Sequence, residues 1–355
     1  MDSSRITIAN TGIQFSCARH ETILDAALRQ GVTLPHNCRG GACGRCKADV
    51  VAGQVEHGWV MSFAITDEEK EAGQCLVCVS KPGSPEVVVS MHNHAAAEER
   101  PPIVPVTTQA TVVASTPVTA QVREIVLALD PGCGFRFRAG MHVELGEEAG
   151  DLGRPYSIAT APDGSGAAPL GLIVVHVALQ PGGVTSAWLH GHARVGTRLT
   201  MRGPYGDFGF ADAAAEGLVL LAGGTGLAPL LSIAGEALRG GYAAPVELGL
   251  SVRTAADVFG VRELEALARA HDNFHYWVTL TRHQGPARPE PWRTGRIPDL
   301  LSAHAADLRG RQFLIAGPPG FVGACEAALA AIGVPAGRIA AESYTARLAP
   351  LRAAG

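Results

Sequence analysis

Aromatic side chains make up only 5 % of this chain and charged ones only 17 %. Lys+Arg total 29 against Asp+Glu 33, for a net charge of −4, so the chain has no basic excess and nucleic acid is excluded as an expected partner. The first twenty residues (MDSSRITIANTGIQFSCARH) lack the apolar core of a secretion leader. Eight cysteines without a leader point to a reduced, cytoplasmic setting, where clustered thiols serve a metal rather than disulfides. The uncharged run at residues 217–235 is long enough to test as a membrane span. Gly223-Gly224-Thr225-Gly226 and Pro229 interrupt it, so it reads as a buried strand, a glycine loop and a helix start, and no membrane association is expected. The chain also lacks internal repeats, low-complexity tracts and the C-x-H…C-x2-H pattern of a Rieske centre.

What the chain has in abundance is small and apolar, with 47 % hydrophobic residues and 43 glycines, ample for packed cores. Its 355 residues suggest two or three domains. In residues 1–93, Ile6, Ile8, Ile13 and Phe15 alternate around Asn10-Thr11-Gly12 as a strand hairpin. Residues 22–29 have helical spacing ended by Gly31, and strands follow at 48–51 and 87–89. Residues 94–105 (HAAAEERPPIVP) read as a linker stiffened by its prolines. In residues 106–212, short β-branched runs at 111–114, 124–129, 142–145, 172–177 and 197–201 are separated by turns, with one helix near 186–190, which predicts an antiparallel barrel. In residues 213–345, strands at 218–221, 246–250, 274–279 and 312–315 alternate with helices ending at 239 and spanning 261–270 and 321–331. That alternation predicts a parallel sheet with helices on both faces, followed by a tail at 346–355.

Cys38, Cys43 and Cys46 form a C-x4-C-x2-C run, and Cys78 follows about thirty residues on, the ligand spacing of a plant-type [2Fe-2S] cluster. Three thiolates must converge on one iron pair, so the loop has to fold tightly and aim backbone N–H groups at sulfur. Gly40, Gly41 and Gly44 permit that. A structural zinc site is the other reading of four thiols. It favours paired C-x2-C knuckles, and Cys43/Cys46 and Cys75/Cys78 have that spacing. The surroundings of Cys78 resemble the fourth-ligand segment of plant-type ferredoxins. Cys75, Cys17, Cys133 and Cys325 are read as structural.

The other motifs resemble, in order, those of the ferredoxin–NADP reductase superfamily. Arg154-Pro155-Tyr156-Ser157 resembles its flavin signature and Gly183-Val184-Thr185-Ser186 its flavin-pyrophosphate loop. Gly223-Gly224-Thr225-Gly226, with Pro229, resembles its first nucleotide loop. Gly317-Pro318-Pro319 resembles the second, and Glu342-Ser343-Tyr344 the acidic–aromatic ending. Set behind a ferredoxin loop, this order is similar to the reductase components of bacterial aromatic-ring dioxygenases of the benzoate and terephthalate type. The resemblance implies a β-grasp [2Fe-2S] ferredoxin domain, an antiparallel β-barrel FAD domain and a Rossmann-like α/β domain for NAD(P)H. It also implies roles. Arg154 offers a cationic fork to a diphosphate and Ser186 a helix N-terminus. Tyr156 lies against the flavin, and Ser157 hydrogen-bonds its N5. His176 and Val177 border the flavin through their backbones, and Arg253 meets the adenosine ribose. Ser157, Glu342 and Tyr344 flank the reacting rings.

Two features depart from that family. Ala316 stands where many relatives carry a cysteine before Gly-Pro-Pro, and eleven residues follow Tyr344. Arg253 has no second basic residue near it in sequence, which tilts the expected donor to NADH over NADPH. The chain is therefore expected to pass electrons from NAD(P)H through FAD and the cluster to the terminal oxygenase of an aromatic-ring-hydroxylating dioxygenase. One rival is the same chemistry serving a diiron monooxygenase or a deoxysugar dehydratase. Another is a non-catalytic zinc and nucleotide module that senses redox state. The acidic run Asp67-Glu68-Glu69 reads as a solvated face or part of a docking surface, and His92-Asn93-His94 and His190-Gly191-His192 as solvent-facing segment ends.

Overall fold

The computed structural model describes residues 3–92, 103–147, 153–209, 216–283, 291–301 and 308–344. Residues 94–102 of the expected linker and the whole of the expected tail lie outside them. The described chain falls into two compact units, the first ending before Ile103 and the second spanning residues 103–343.

In the first unit, β1 (Ser3–Ile8) and β2 (Gln14–Ala18) form the expected hairpin, with Ile6, Ile8, Phe15 and Cys17 turned inward by strand alternation. Helix α1 (Ile23–Arg29) starts at Thr22, whose hydroxyl accepts the Asp25 amide, and buries Ile23, Leu24, Ala26, Ala27 and Leu28. The unit continues through β3 (Lys47–Ala52), β4 (Val55–Glu56), α2 (Asp67–Glu71), β5 (Gln74–Leu76), β6 (Lys81–Pro82) and β7 (Glu86–Met91). The main sheet runs β2-β1-β7-β3-β5, with β1 and β7 parallel and the other neighbours antiparallel. A mixed sheet with one helix packed on it is the β-grasp arrangement. The acidic run turns out to be α2 itself. Thr66 and Glu69 form a capping box, Glu69 pairs with Lys47 at 2.7 Å and Asp67 with Lys70 at 2.8 Å. Its charges thus close a helix end and neighbouring ion pairs.

The second unit opens with six antiparallel strands, β8 (Val106–Pro117), β9 (Val122–Leu129), β10 (His142–Glu147), β11 (Arg154–Ser157), β12 (Leu172–Ala178) and β13 (Arg198–Tyr205). They pair in the order β11-β10-β13-β8-β9-β12, and a bridge between Ile158 and Val175 joins the two ends into a barrel. Alternate residues fill it, among them Val112, Ile125, Leu127, Val143, Leu145, Val175, Val177 and Met201, together with Phe137. Helix α3 (Val184–His192) leaves from the end of β12 and packs beside it.

Six parallel strands follow, β14 (Leu218–Gly223), β15 (Val246–Val252), β16 (Phe274–Leu280), β17 (Trp292–Thr294), β18 (Gln312–Gly317) and β19 (Ile339–Ser343), in the order β17-β16-β15-β14-β18-β19. Helices α4 (Leu227–Arg239) and α5 (Val261–Ala270) cover one face, and α6 (Ile297–Leu301) and α7 (Pro319–Ala331) the other. The uncharged run is β14 and α4, buried almost throughout. No helix among the described residues is long and apolar enough to cross a membrane. Barrel and sheet share a core, because Val122, Ala139 and Phe208 pack with the residues of α4.

Phe137 is 1 % exposed at the centre of the barrel filling. Phe137→Ala is expected to destabilise the second unit by ~3–5 kcal/mol, the range for emptying a buried aromatic site. Urea denaturation followed by tryptophan fluorescence should show that unit's transition moving to lower urea.

Candidate functional site

In the first unit the cysteine loop brings its thiols into two contacting pairs. Cys38 and Cys43 are joined by a thiol hydrogen bond, as are Cys46 and Cys78, and the charge of Cys43 is felt at Cys46. The Cys43 thiol donates to Cys38, which holds the Cys38 thiol below its ordinary range; backbone N–H groups from Gly40, Ala42 and Cys43 add to this against the opposing effect of burial. The Gly40 and Ala42 amides stand 3.5 and 3.4 Å from that sulfur. Cys43 and Cys46 are pushed up, chiefly by the thiol each bonds and then by burial. Among the described residues no three potential ligands gather as they would around a single ion. Two linked thiol pairs, with N–H groups aimed at sulfur, instead fit a two-iron cluster with two donors per iron. Cys75 lies in β5, wholly buried, and burial pushes it up to about 12. Gly41 has φ +73°, and a Cβ there would overlap the Trp59 carbonyl, so the loop has no room for another residue type.

In the second unit the Arg154–Ser157 motif is β11, at one end of the barrel's strand order, and the closing bridge sets it beside β12. Arg154 Nη1 donates to the Gly153 carbonyl at 3.2 Å. Tyr156 packs against the barrel core, and desolvation pushes its hydroxyl up. The chain leaving β12 turns through Gly183 into α3, with Thr185 and Ser186 buried and Val184 exposed. The Ser186 hydroxyl accepts the Gln180 amide at 3.1 Å and so closes that turn. His176 is a buried strand histidine. Its Nε2 stands 3.3 Å from Glu124 Oε2, and its ring meets Phe259 edge-on at 5.1 Å. The Val177 carbonyl is paired with His190 Nε2 at 2.9 Å.

The nucleotide motifs meet where the strand order of the parallel sheet reverses. From β14 the chain runs outward through β15, β16 and β17 and then returns to β18 on the other side, which opens a crevice at the carboxyl ends of β14 and β18. The Gly224–Gly226 turn leads straight into α4, on which Pro229 is buried. A Cβ at residue 226 would run into the Ala316 carbonyl, so glycine lets the two loops touch. Gly317 begins the second loop, with Pro318 and Pro319 exposed beyond it. Glu342 is buried on β19 directly opposite Ala316, and Tyr344 follows that strand, outside the second unit. The flavin motif and the nucleotide loop are also tied together. The Ser232 hydroxyl of α4 donates to the Thr160 carbonyl at 2.7 Å, and Arg239 Nη2 to the Pro162 carbonyl at 2.7 Å. The Gly224–Gly226 turn lies against β12.

Two points differ from the sequence expectations. Arg253 does have a basic neighbour, because the Arg282 amide donates to the Arg253 carbonyl at 2.8 Å and both side chains are exposed. Adjacent parallel strands bring the two together from 29 positions apart, and that removes the ground for preferring NADH. His190 is half-buried and pins α3 to β12. His192 and His92 are exposed as expected, the first stacked on Trp188 with ring centroids 5.8 Å apart and the second paired with Asp49 at 2.9 Å. Asp257, just past Arg253, is engaged in capping Thr254 at 2.8 Å.

Comparison with known proteins accounts for the three parts. Residues 6–83 match the 2Fe-2S iron-sulfur cluster binding domain, 109–210 the oxidoreductase FAD-binding domain and 220–327 the oxidoreductase NAD-binding domain. The chain is 30% identical over 349 residues to the reductase component of propane 2-monooxygenase from Mycolicibacterium goodii, covering 97% of this chain and 98% of that protein. The crystal structure of Amycolatopsis cytochrome P450 reductase GcoB superposes with a TM-score of 0.82 at 30% identity, over 96% of this chain and 98% of that one. The ferredoxin reductase of carbazole 1,9a-dioxygenase has the same fold, with a TM-score of 0.74 at 24% identity over 97% and 98% of the two chains. With its cluster loop, flavin barrel and nucleotide crevice, the chain belongs to the iron–sulfur flavoprotein NAD(P)H reductase components of multicomponent oxygenase systems.

Proposed function

We propose that this chain supplies electrons to the oxygenase component of a monooxygenase system, the diiron type offered above as the rival, in place of the aromatic-ring dioxygenase given first. What carries the reading is the 30% identity to a propane 2-monooxygenase reductase across nearly the full length of both chains. The likeness to the carbazole dioxygenase reductase, at 24% identity, speaks for the fold alone. The zinc-module rival falls with the family assignment, and nothing supports the dehydratase rival.

Within this reading Cys38, Cys43, Cys46 and Cys78 hold the cluster, two thiolates to each iron. The Gly40 and Ala42 amides direct hydrogen bonds at the Cys38 sulfur, which favours its thiolate. Arg154 and the amino end of α3 at Thr185 and Ser186 receive the FAD diphosphate, Tyr156 lines the ring, and Ser157 stands at its edge. Gly223–Gly226 and Gly317–Pro319 receive the nicotinamide nucleotide at the carboxyl ends of β14 and β18, and Arg253 the adenosine end. Glu342, opposite Ala316 on β19, serves that crevice, and Tyr344 follows it in sequence. When bound, FAD supplies the change from two-electron to one-electron transfer. The protein's part is to hold donor and acceptor rings in one orientation, which the bonds from α4 to Thr160 and Pro162 fix.

The partner is tested by mixing the anaerobically reduced protein with purified oxygenase components and following cluster reoxidation. A monooxygenase hydroxylase should oxidise it quickly with coupled product. Rapid, coupled oxidation by a Rieske dioxygenase alone would overturn the assignment. Cys78→Ser should lose the cluster's visible absorbance and keep NAD(P)H-dependent ferricyanide reduction. Arg154→Ala should weaken FAD retention by about 10- to 100-fold, matching ~1.5–3 kcal/mol for hydrogen bonds to a charged group, read by FAD content after gel filtration. Gly226→Ala should force the two nucleotide loops apart and slow FAD reduction by ~100-fold, the usual cost of a small misplacement, with both cofactor spectra intact.

A further inference from the structure

Arg39 is the residue of the cluster loop whose conformation and charge both call for explanation. It follows Cys38 directly and has φ +51°, a left-handed conformation shared, among the described non-glycine residues, only with Leu170. Glycine adopts this conformation without strain and an arginine does not, and three glycines already stand in the same loop. The arginine side chain turns inward, 14 % exposed, and its Nη2 lies 2.6 Å from Asp25 Oδ1 of α1. Asp25 is itself 43 % exposed. A charge on the residue next to Cys38 is therefore held largely out of solvent, on a backbone conformation that disfavours arginine, by a carboxylate that is better solvated than the charge it meets.

We propose that the Asp25–Arg39 pair sets the reduction potential of the [2Fe-2S] cluster. It rests on the assignment of Cys38 as a ligand. Adding an electron to the cluster makes it more negative. A half-buried guanidinium on the residue next to a ligand is screened little and favours the reduced form. Asp25 opposes it with a charge weakened by its greater exposure to water. The two charges therefore act on the cluster in opposite directions. A pair serving only to brace the loop would have no reason to favour one redox state.

The test is a redox titration of the holoprotein, with the reduced cluster followed by electron paramagnetic resonance. Arg39→Gly removes the charge while leaving a residue that takes φ +51° freely, so the loop geometry is retained. Its midpoint should fall, with the reduced-to-oxidised ratio at fixed potential changing by about tenfold, ~59 mV for a one-electron couple. Asp25→Asn should move the midpoint the opposite way, and Arg39→Lys should hold it near the parent value. Arg5→Gln removes an equal charge from the exposed Arg5–Glu86 pair, where solvent screens it, and should leave the midpoint in place. Shifts of one sign in Arg39→Gly and Asp25→Asn, or no shift in either, would overturn the proposal while leaving the cluster assignment intact. Absence of the [2Fe-2S] signal from the parent protein would overturn both.

Discussion

A reduced nicotinamide gives up two electrons together, as hydride, whereas an iron–sulfur cluster accepts one at a time. That mismatch is the constraint on which this architecture depends. It requires a flavin between the two carriers, hence a barrel to hold it. It requires hydride donor and acceptor rings to meet face to face, hence a crevice shared by the barrel and the parallel sheet. The second unit meets the last requirement with a common core and with side chains of α4 bonded to the chain that leaves the flavin motif. The helix that opens the nucleotide loop is thereby fixed to the strand that presents Ser157.

Within the crevice, two backbones approach too closely for side chains between them. Gly226 lies against the Ala316 carbonyl, and Gly317 passes Gly223 closely. The position that carries a cysteine in many relatives is here a buried alanine on β18, across from Glu342 on β19. That place therefore offers no thiol, only an alanine methyl facing the strand that carries Glu342. The cluster loop follows the same economy, with backbone amides facing sulfur and the charged Arg39 turned in toward Asp25.

The parts legible in the sequence were those in which short-range spacing determines geometry. C-x4-C-x2-C can only be a tight loop. Arg154-Pro155-Tyr156-Ser157 lies on one strand. A glycine loop between an apolar run and a helix marks the turn from β14 into α4. Interactions across strands were not legible. Arg282 reaches Arg253 only because β15 and β16 are neighbours, and Asp25 reaches Arg39 only because α1 packs against the sheet that carries the loop. His190 was misread for the same reason. H-x-H spacing on a helix says nothing about the carbonyl of β12 that the ring meets. The oxygenase served was least legible of all, since the features shared by these reductases concern the cofactors and not the acceptor.

Anaerobic titration with NAD(P)H tests the electron path most directly, with flavin and cluster absorbance followed together. FAD takes two electrons and the cluster one, so full reduction should require about three electrons per chain, or about 1.5 equivalents of nucleotide, with both chromophores bleaching. An end point at one equivalent with the cluster still oxidised would show that the flavin does not feed the cluster, and would contradict the account.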